Sequence, residues 1–152
     1  MAAIIESVEV ARPPEDVFAY LDDLARHREW QETLVDVHVD TEGPTRVGSR
    51  ATETRRVPGG KRKFTYEVTA HDPPRSSSFH GVEGPVRPVG TVRVEPIGEG
   101  SHSRVTIELE FEGHGIGKLL APLARREARK QVPRDQARLK QRLEAGEPSP
   151  AS

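Results

Sequence analysis

Apolar and polar side chains alternate along most of the chain, which is the pattern of strands that have one face buried. The clearest case runs from Val105 to Phe111, where Val, Ile, Leu and Phe alternate with Thr and Glu. Pro58-Gly59-Gly60 separates two such segments and is typical of a hairpin turn. The alternation predicts seven strands, at 4–10, 35–39, 47–57, 61–70, 77–82, 89–95 and 105–111. Short turns join most of them, so we expect antiparallel pairing.

The first strand is followed by helical rather than alternating spacing. Pro13-Pro14 breaks the strand, and the acidic residues Glu15 and Asp16 favour the first turn of a helix. A second short helix is expected to run to about Glu32, with Trp30 as one of its anchors. The sequence therefore predicts two short helices directly after strand one.

A long helix is predicted after Gly113-His114-Gly115 and is expected to end at about Glu144. Pro133 lies inside it and should kink it rather than end it, because the apolar period resumes afterwards. The apolar residues at helical spacing are Ile116, Leu119, Leu120, Leu123, Ala124, Ala128, Val132, Leu139 and Leu143. We expect one domain over 1–144 and a disordered tail at 145–152.

This order of elements predicts an internal cavity. A sheet of seven antiparallel strands has an apolar face that must be covered, and only the long C-terminal helix is large enough to cover it. One helix cannot fill the concave face of so large a sheet. The inward positions are small at Ser49, Ala51, Gly81 and Gly90, and polar at Glu6, Glu53, Arg55 and Tyr66. An apolar cavity with a few polar groups is the usual form of a small-molecule site.

Composition and charge argue against several classes of function and partner. Hydrophobic residues make up 34% and charged residues 31%, and no apolar run approaches the length of a membrane span. We therefore expect no integral membrane association, and we see no signal peptide and expect a cytoplasmic location. The absence of Cys excludes disulfides, thiol nucleophiles and thiolate metal sites. The net charge of -1 argues against nucleic acid as a partner, and the oligomeric state stays open.

Few motifs point to catalysis or metal binding. The six His residues are scattered without an HxH or HExxH pattern, so we expect no metal and no cofactor. No GxSxG elbow is present. The run from Gly113 to Lys118 resembles a phosphate loop only superficially, because Glu112 stands at the first Gly position and Leu119 follows the lysine.

The candidate site residues lie on the predicted inward faces. Glu53 and Arg55 are two apart on one strand face, so they can pair with each other, orient a polar group of a ligand, or lie at a solvated strand end. Tyr66 offers a phenol as a hydrogen-bond donor or weak acid. Trp30 either gates the cavity mouth or anchors the core. The expected ligand-binding residues are Trp30, Ala51, Glu53, Arg55, Tyr66, Phe79, Val92 and Leu120.

The long helix is strongly basic. Nine Lys and Arg residues stand against three acidic ones between Lys118 and Glu144. Such a face is either solvated, with long stems covering apolar surface, or attracts an anionic membrane surface or an acidic partner.

Several segments resemble the SRPBCC superfamily, which includes START, birch-pollen-allergen-like and polyketide cyclase/dehydrase-like proteins. The run VEVARPPEDVFAYLDDLARHREW resembles the family's opening strand and two short helices. The segment from Val47 to Ser76 resembles its central hairpin and the Pro-Pro turn that follows. GSHSRVTIELEFEGHGIGKLLAPL and ARLKQRLEAG resemble its last strand and long helix. The resemblance covers residues 4–145 approximately.

The resemblance implies an α+β helix-grip fold, in which a curved seven-stranded antiparallel sheet encloses a cavity with its long C-terminal helix. Three functions stay open. The chain binds a hydrophobic or amphipathic small molecule as a carrier or sensor, or it is a polyketide cyclase, aromatase or dehydratase in which Tyr66, Glu53 and Arg55 act on a bound chain. In the third, it is a protein-interaction module with a vestigial cavity. Fold alone does not decide among them.

Overall fold

The computed structural model describes residues 4–145. A short 3₁₀ helix over Leu24–Glu29 follows the first α-helix, and another over Gly98–Gly100 precedes the last strand. The strands and α-helices are β1 (Ile4–Val10), α1 (Pro14–Asp22), β2 (Leu34–Val39), β3 (Arg50–Val57), β4 (Gly60–Asp72), β5 (Ser76–Gly81), β6 (Val86–Ile97), β7 (His102–Gly113) and α2 (Gly117–Ala145).

The seven strands form one antiparallel sheet in the order β1-β7-β6-β5-β4-β3-β2. The register shifts between Leu34 and Asp36 in β2 and between Val68 and Ala70 in β4. Such irregularities bend the strand and increase its twist, which helps the sheet to curve around the helix. The sheet and α2 together make the helix-grip α+β fold, so the predicted fold class is confirmed. The enclosed cavity between them stays a prediction.

The helix α1 covers one end of the sheet. Pro14 occupies its first turn, where a missing N–H costs nothing, and Glu15 and Asp16 follow it. The buried face of α1 joins residues of β1, β6, β7 and α2 in the main hydrophobic core. The core residues are Val10, Val17, Phe18, Leu21, Trp30, Val94, Val105, Leu139 and Leu143.

The helix α2 is continuous through Pro122 and Pro133 and packs mainly against β1 and β7. The large apolar residues that it buries lie in its second half, at Val132, Leu139 and Leu143. No helix within residues 4–145 is long and apolar enough to cross a membrane. Ala145 is the last residue of α2 rather than the start of a tail, and the rest of the predicted tail lies outside the described residues.

The first apolar residues of the series at helical spacing are largely exposed, whereas later members of the series are buried. Ile116, Leu119 and Leu123 are 67%, 76% and 58% exposed. The cause is a close approach between the start of α2 and the β5–β6 turn, where Gly117 lies directly against Pro85. That contact fixes the rotation of the helix and turns these side chains outward.

Several predicted boundaries also shift; β6 and β7, for example, begin at Val86 and His102 rather than at 89 and 105. The third strand begins at Arg50 rather than at 47, because Gly48 adopts a φ of 93° that ends the extended conformation. Val47 is consequently 60% exposed. The second short helix ends at Glu29 as a 3₁₀ helix, with Trp30 at its C-cap.

Candidate functional site

The register of β3 and its neighbours sets polar side chains among apolar ones on the concave face. Ala51 pairs with Tyr66 of β4, and Tyr66 pairs in turn with Gly81 of β5. Paired residues of antiparallel strands project to the same face, and Glu53, two residues from Ala51, shares it. The small residues beside Tyr66 leave room for its ring.

A buried ion pair lies on β3. The Arg55 guanidinium is 2.7 Å from the Glu53 carboxylate, and Glu53 is only 7% exposed. Arg55 also donates to the Thr33 hydroxyl at 3.0 Å and to the side-chain oxygen of Gln31. Glu53 and Arg55 therefore pair with each other, one of the roles considered from the sequence, and residues before β2 hold the guanidinium in place.

Tyr66 is a buried phenol without a hydrogen bond. It is 5% exposed, its ring lies 5.2 Å from that of Phe79, and its hydroxyl makes no hydrogen bond to any described residue. Burial, and secondarily the negative charge of Glu53, raise the pKa of Tyr66 well above its ordinary value. The phenol is therefore neutral at physiological pH; Glu53 is close enough to act on its proton, but the two side chains do not meet hydrogen-bond geometry.

Trp30 offers a second donor without a partner. Its indole Nε1 is buried and makes no hydrogen bond to a described residue. The ring is 5% exposed and belongs to the main core, so the structure places Trp30 as a core anchor rather than at a cavity mouth. Its hydrophobic body stabilises the fold, while its N–H stays available to an acceptor.

His27 lies against Trp30, with the two rings 5.5 Å apart in an edge-to-face arrangement. Its Nε2 is 2.8 Å from the carbonyl oxygen of Leu21. Burial lowers the pKa of His27, although Glu53 and Arg55 also act on it, with opposite signs. The imidazole is therefore neutral near pH 7. Sequence reasoning counted His27 only among the scattered histidines, although its position three residues before Trp30 on a short helix links the two.

The helix α2 contributes polar groups that the sequence analysis missed. Asp135 is 7% exposed and accepts hydrogen bonds from the Glu32 backbone N–H at 3.1 Å and from the Gln131 amide at 2.9 Å. Burial raises the pKa of Asp135. Gln136, also buried, donates to the backbone carbonyl of Glu6 at 2.8 Å. No signal in the sequence separated these two residues from the exposed charges of the same helix.

Besides Glu53 and Arg55, which form the ion pair, the predicted ligand-binding residues divide into three groups. Ala51 and Tyr66 pack with Leu24, Val39 and Phe79 in a second apolar cluster. Trp30 and Val92 belong to the main core or pack against it. Leu120 is half-buried on α2 and belongs to neither cluster.

An open cleft of about 620 Å³ lies outside the second cluster, between α1 and the loop that joins β2 to β3. Leu24 and Val39 line this cleft and also contact the cluster that contains Tyr66. These two side chains are therefore shared by the cleft and the cluster. The cleft is closed on one side by the Thr45 hydroxyl, which donates to the Asp22 carbonyl at 2.8 Å.

Solved structures share this architecture. A protein from Thermus thermophilus superposes with a TM-score of 0.77 at 23% identity, covering 94% of this chain and 97% of its own. A START superfamily protein from Mycobacterium smegmatis gives 0.76 at 14% identity, with coverages of 95% and 99%. The Zhui aromatase/cyclase from Streptomyces sp. R1128 gives 0.71 at 17% identity, with coverages of 94% and 91%. These likenesses show the fold.

No curated protein matches the sequence. The family model described as polyketide cyclase / dehydrase and lipid transport matches residues 1–145, which is nearly the whole chain. The chain therefore belongs to the polyketide cyclase/dehydrase and lipid transport family.

Proposed function

We propose that the chain binds a hydrophobic or amphipathic small molecule against the concave face of its sheet, as a carrier or sensor. The observation that carries the proposal is the pair of buried donors, Tyr66 Oη and Trp30 Nε1, that make no hydrogen bond within the described structure. The charge of Glu53 acts on Tyr66 and on His27, whose ring lies 5.5 Å from that of Trp30. A ligand with an acceptor oxygen and an apolar body matches this combination.

The free energy of binding favours a ligand of this kind. A buried donor without a partner costs about 1–3 kcal/mol, so an acceptor supplied by a ligand recovers energy that the free protein lacks. Apolar surface removed from water adds roughly 25 cal/mol for each Å². The ligand's apolar body is placed against Phe79 and Ala51, which pack with Tyr66 in the second cluster.

The cleft beside Leu24 and Val39 is the proposed entrance. Both residues line the cleft and also belong to the Tyr66 cluster or pack against it. Movement of these two side chains connects the outside to the cluster that contains Tyr66. The volume of the cleft lies within the range of ordinary small-molecule sites.

The second candidate function is cyclisation or dehydration of a bound polyketide chain. The observation that favours it is the neutral phenol of Tyr66, which makes no geometric hydrogen bond to a described residue and lies close to the buried carboxylate of Glu53. In this function Tyr66 donates to a substrate carbonyl, and Arg55 and Glu53 hold the chain in position. The family description and the aromatase/cyclase among the related structures support this candidate.

The experiment compares two compounds that differ in one acceptor, 2-acetylnaphthalene and 2-ethylnaphthalene, by calorimetric titration. The protein should bind the ketone more tightly, and Tyr66→Phe should weaken ketone binding about tenfold while leaving the hydrocarbon unchanged, since a hydrogen bond of about 1.4 kcal/mol corresponds to that factor. Tyr20→Phe makes the same chemical change outside the site and serves as the control. Equal affinity for both compounds, or no binding of either, would contradict the proposal.

Turnover separates the two functions. Incubation with a poly-β-keto thioester should give no cyclised product if the chain is a carrier. Product formation that Tyr66→Phe reduces and Tyr20→Phe does not would favour the cyclase.

A further inference from the structure

The first turns of α2, together with the residue just before them, expose an unusual amount of apolar surface. Five large hydrophobic side chains of the described chain are more than half exposed, and three of them are Ile116, Leu119 and Leu123. The other two, Ile5 and Val47, belong to β1 and to the loop before β3. Isolated exposed aliphatic residues are ordinary, but three on successive turns form a patch.

The same face of α2 continues as a basic surface. Arg126 and Lys130 follow Leu119 and Leu123 at spacings of three, four and seven residues, which place them on one side of the helix. Both are exposed. Arg129 lies beside this row and is exposed as well. We call the row Leu119, Leu123, Arg126 and Lys130, with Ile116 at its end, the outer stripe.

Little negative charge offsets these cations. Of the three acidic residues in the helix, Asp135 is buried, and Glu144 binds Lys140 at 2.7 Å. Glu127 remains, with its carboxylate 4.0 Å from Lys130. The whole chain carries a net charge of -1, so the positive charge of the helix is a local feature and not a property of the protein surface in general.

The stripe is held outward by the fold. Gly117 packs against Pro85, and the His114 backbone N–H donates to the Pro85 carbonyl at 2.8 Å. Arg125, on the opposite side of the helix, donates to the carbonyl of Phe111 at 3.0 Å and pairs with Glu110. These contacts prevent the helix from rotating its leucines toward the sheet.

We propose that the outer stripe docks on an anionic lipid surface, with the aliphatic side chains in the acyl boundary and the cations at the headgroups. Apolar residues beside cations on one helix face match the two layers of such a surface. Nucleic acid would leave the leucines uncovered. A second copy in a symmetric pair would bring two sets of cations together, which disfavours self-association. The inference does not depend on the ligand proposed above.

Vesicle co-sedimentation of the full chain tests the proposal. The protein should bind vesicles that contain about one third phosphatidylglycerol in phosphatidylcholine, bind pure phosphatidylcholine at least about tenfold more weakly, and dissociate as salt rises. Leu119→Ser/Leu123→Ser should reduce binding about tenfold, and Ile5→Ser/Val47→Ser, which removes exposed aliphatic surface elsewhere, should change it less than about twofold.

Vesicle co-sedimentation also tests the contribution of the cations in the outer stripe. Arg126→Gln/Lys130→Gln should weaken binding severalfold more than Arg62→Gln/Lys63→Gln, which removes equal charge from the exposed β3–β4 hairpin. Each variant is checked for an unchanged thermal unfolding midpoint. The proposal is overturned by equal binding to neutral vesicles, by no binding, or by equal losses in the variants and their controls. Two other outcomes would assign the stripe to another partner. One is a dimer that dissociates in the variant Leu119→Ser/Leu123→Ser, and the other is an acidic protein that competes with vesicles for the same residues.

Discussion

The Arg55 guanidinium lies 2.7 Å from the carboxylate of Glu53, two residues away on the same face of β3. The Glu53 side chain is 9% exposed, whereas that of Arg55 is 25% exposed and makes further hydrogen bonds to Gln31 and Thr33. The carboxylate is thus the more deeply buried partner. One guanidinium compensates its charge, and Gln31 and Thr33, which lie outside β3, hold that guanidinium in place.

Removing one member of this pair should cost more stability than removing both. Arg55→Met leaves the Glu53 carboxylate buried without its cation, and we expect a loss of about 2–3 kcal/mol in the free energy of unfolding. The double variant Glu53→Gln/Arg55→Met should recover at least half of that loss. Urea denaturation of the parent, both single variants and the double variant measures the coupling. Additive losses would contradict a coupled buried pair.

The two tyrosines should respond oppositely to loss of the hydroxyl. Tyr20 donates to the Glu29 carboxylate at 2.9 Å, and burial together with Glu29 raises the pKa of Tyr20 to about 12. Tyr20→Phe should therefore cost about 1–2 kcal/mol of unfolding free energy. Tyr66→Phe removes a buried hydroxyl that has no partner among the described residues and should leave stability unchanged or raise it by up to about 1 kcal/mol.

Equilibrium urea unfolding of both variants under one condition makes the comparison. A loss for Tyr66→Phe as large as that for Tyr20→Phe would mean that the Tyr66 hydroxyl is bonded in the free protein. A ligand acceptor would then have no unsatisfied phenol to meet at this position.

Local patterns predicted the sheet well. The alternation in β7 and the Pro58-Gly59-Gly60 turn depend only on neighbouring residues, so the sequence alone is enough to predict them. The strand face that Glu53, Arg55 and Tyr66 occupy follows from the period of two and from the hairpin register. Those parts of the candidate site were predictable.

Contacts between segments that are distant in the sequence could not be predicted in this way. Helical spacing shows that Leu119 and Leu123 share a face but not which way that face points, and the direction is set by Gly117 against Pro85. Likewise, Gln31 and Thr33 reach Arg55 because the segment before β2 lies alongside the end of β3, where Leu34 pairs with Arg55. Asp135 becomes a buried carboxyl only through the Glu32 backbone.

The contact between Gly117 and Pro85 should be intolerant of a methyl group. A Cβ at Gly117 would overlap the Pro85 carbonyl oxygen, which is backbone and cannot rotate away. Gly117→Ala should lower the free energy of unfolding by about 2–3 kcal/mol, whereas the adjacent exposed Lys118→Ala should change it by less than about 0.5 kcal/mol. Thermal and urea unfolding test the pair, and equal stability of the two variants would show that the helix start moves freely.

Acid should destabilise the protein through His27. Burial holds the pKa of His27 below its ordinary value in the folded chain, so between the two values the unfolded chain binds a proton that the folded chain does not. The stability gained from a neutral His27 is therefore complete above about pH 6.5, the unfolded value, and is lost as the pH falls toward the folded value. Trp30, the only Trp in the chain, lies 5.5 Å away and reports on this region by fluorescence.

The matched variant is His27→Gln, whose amide can still donate to the Leu21 carbonyl but does not titrate. Urea unfolding followed by Trp30 emission, at about pH 7.5 and about pH 5, should show the parent losing more stability than the variant over this interval. Other groups titrate in both proteins, so their contributions cancel in the difference, and His27→Gln should gain on the parent as the solution becomes more acidic. Parallel curves for the two proteins would mean that the imidazole is protonated equally readily in the folded and unfolded chains, and that burial against Trp30 does not hold it neutral.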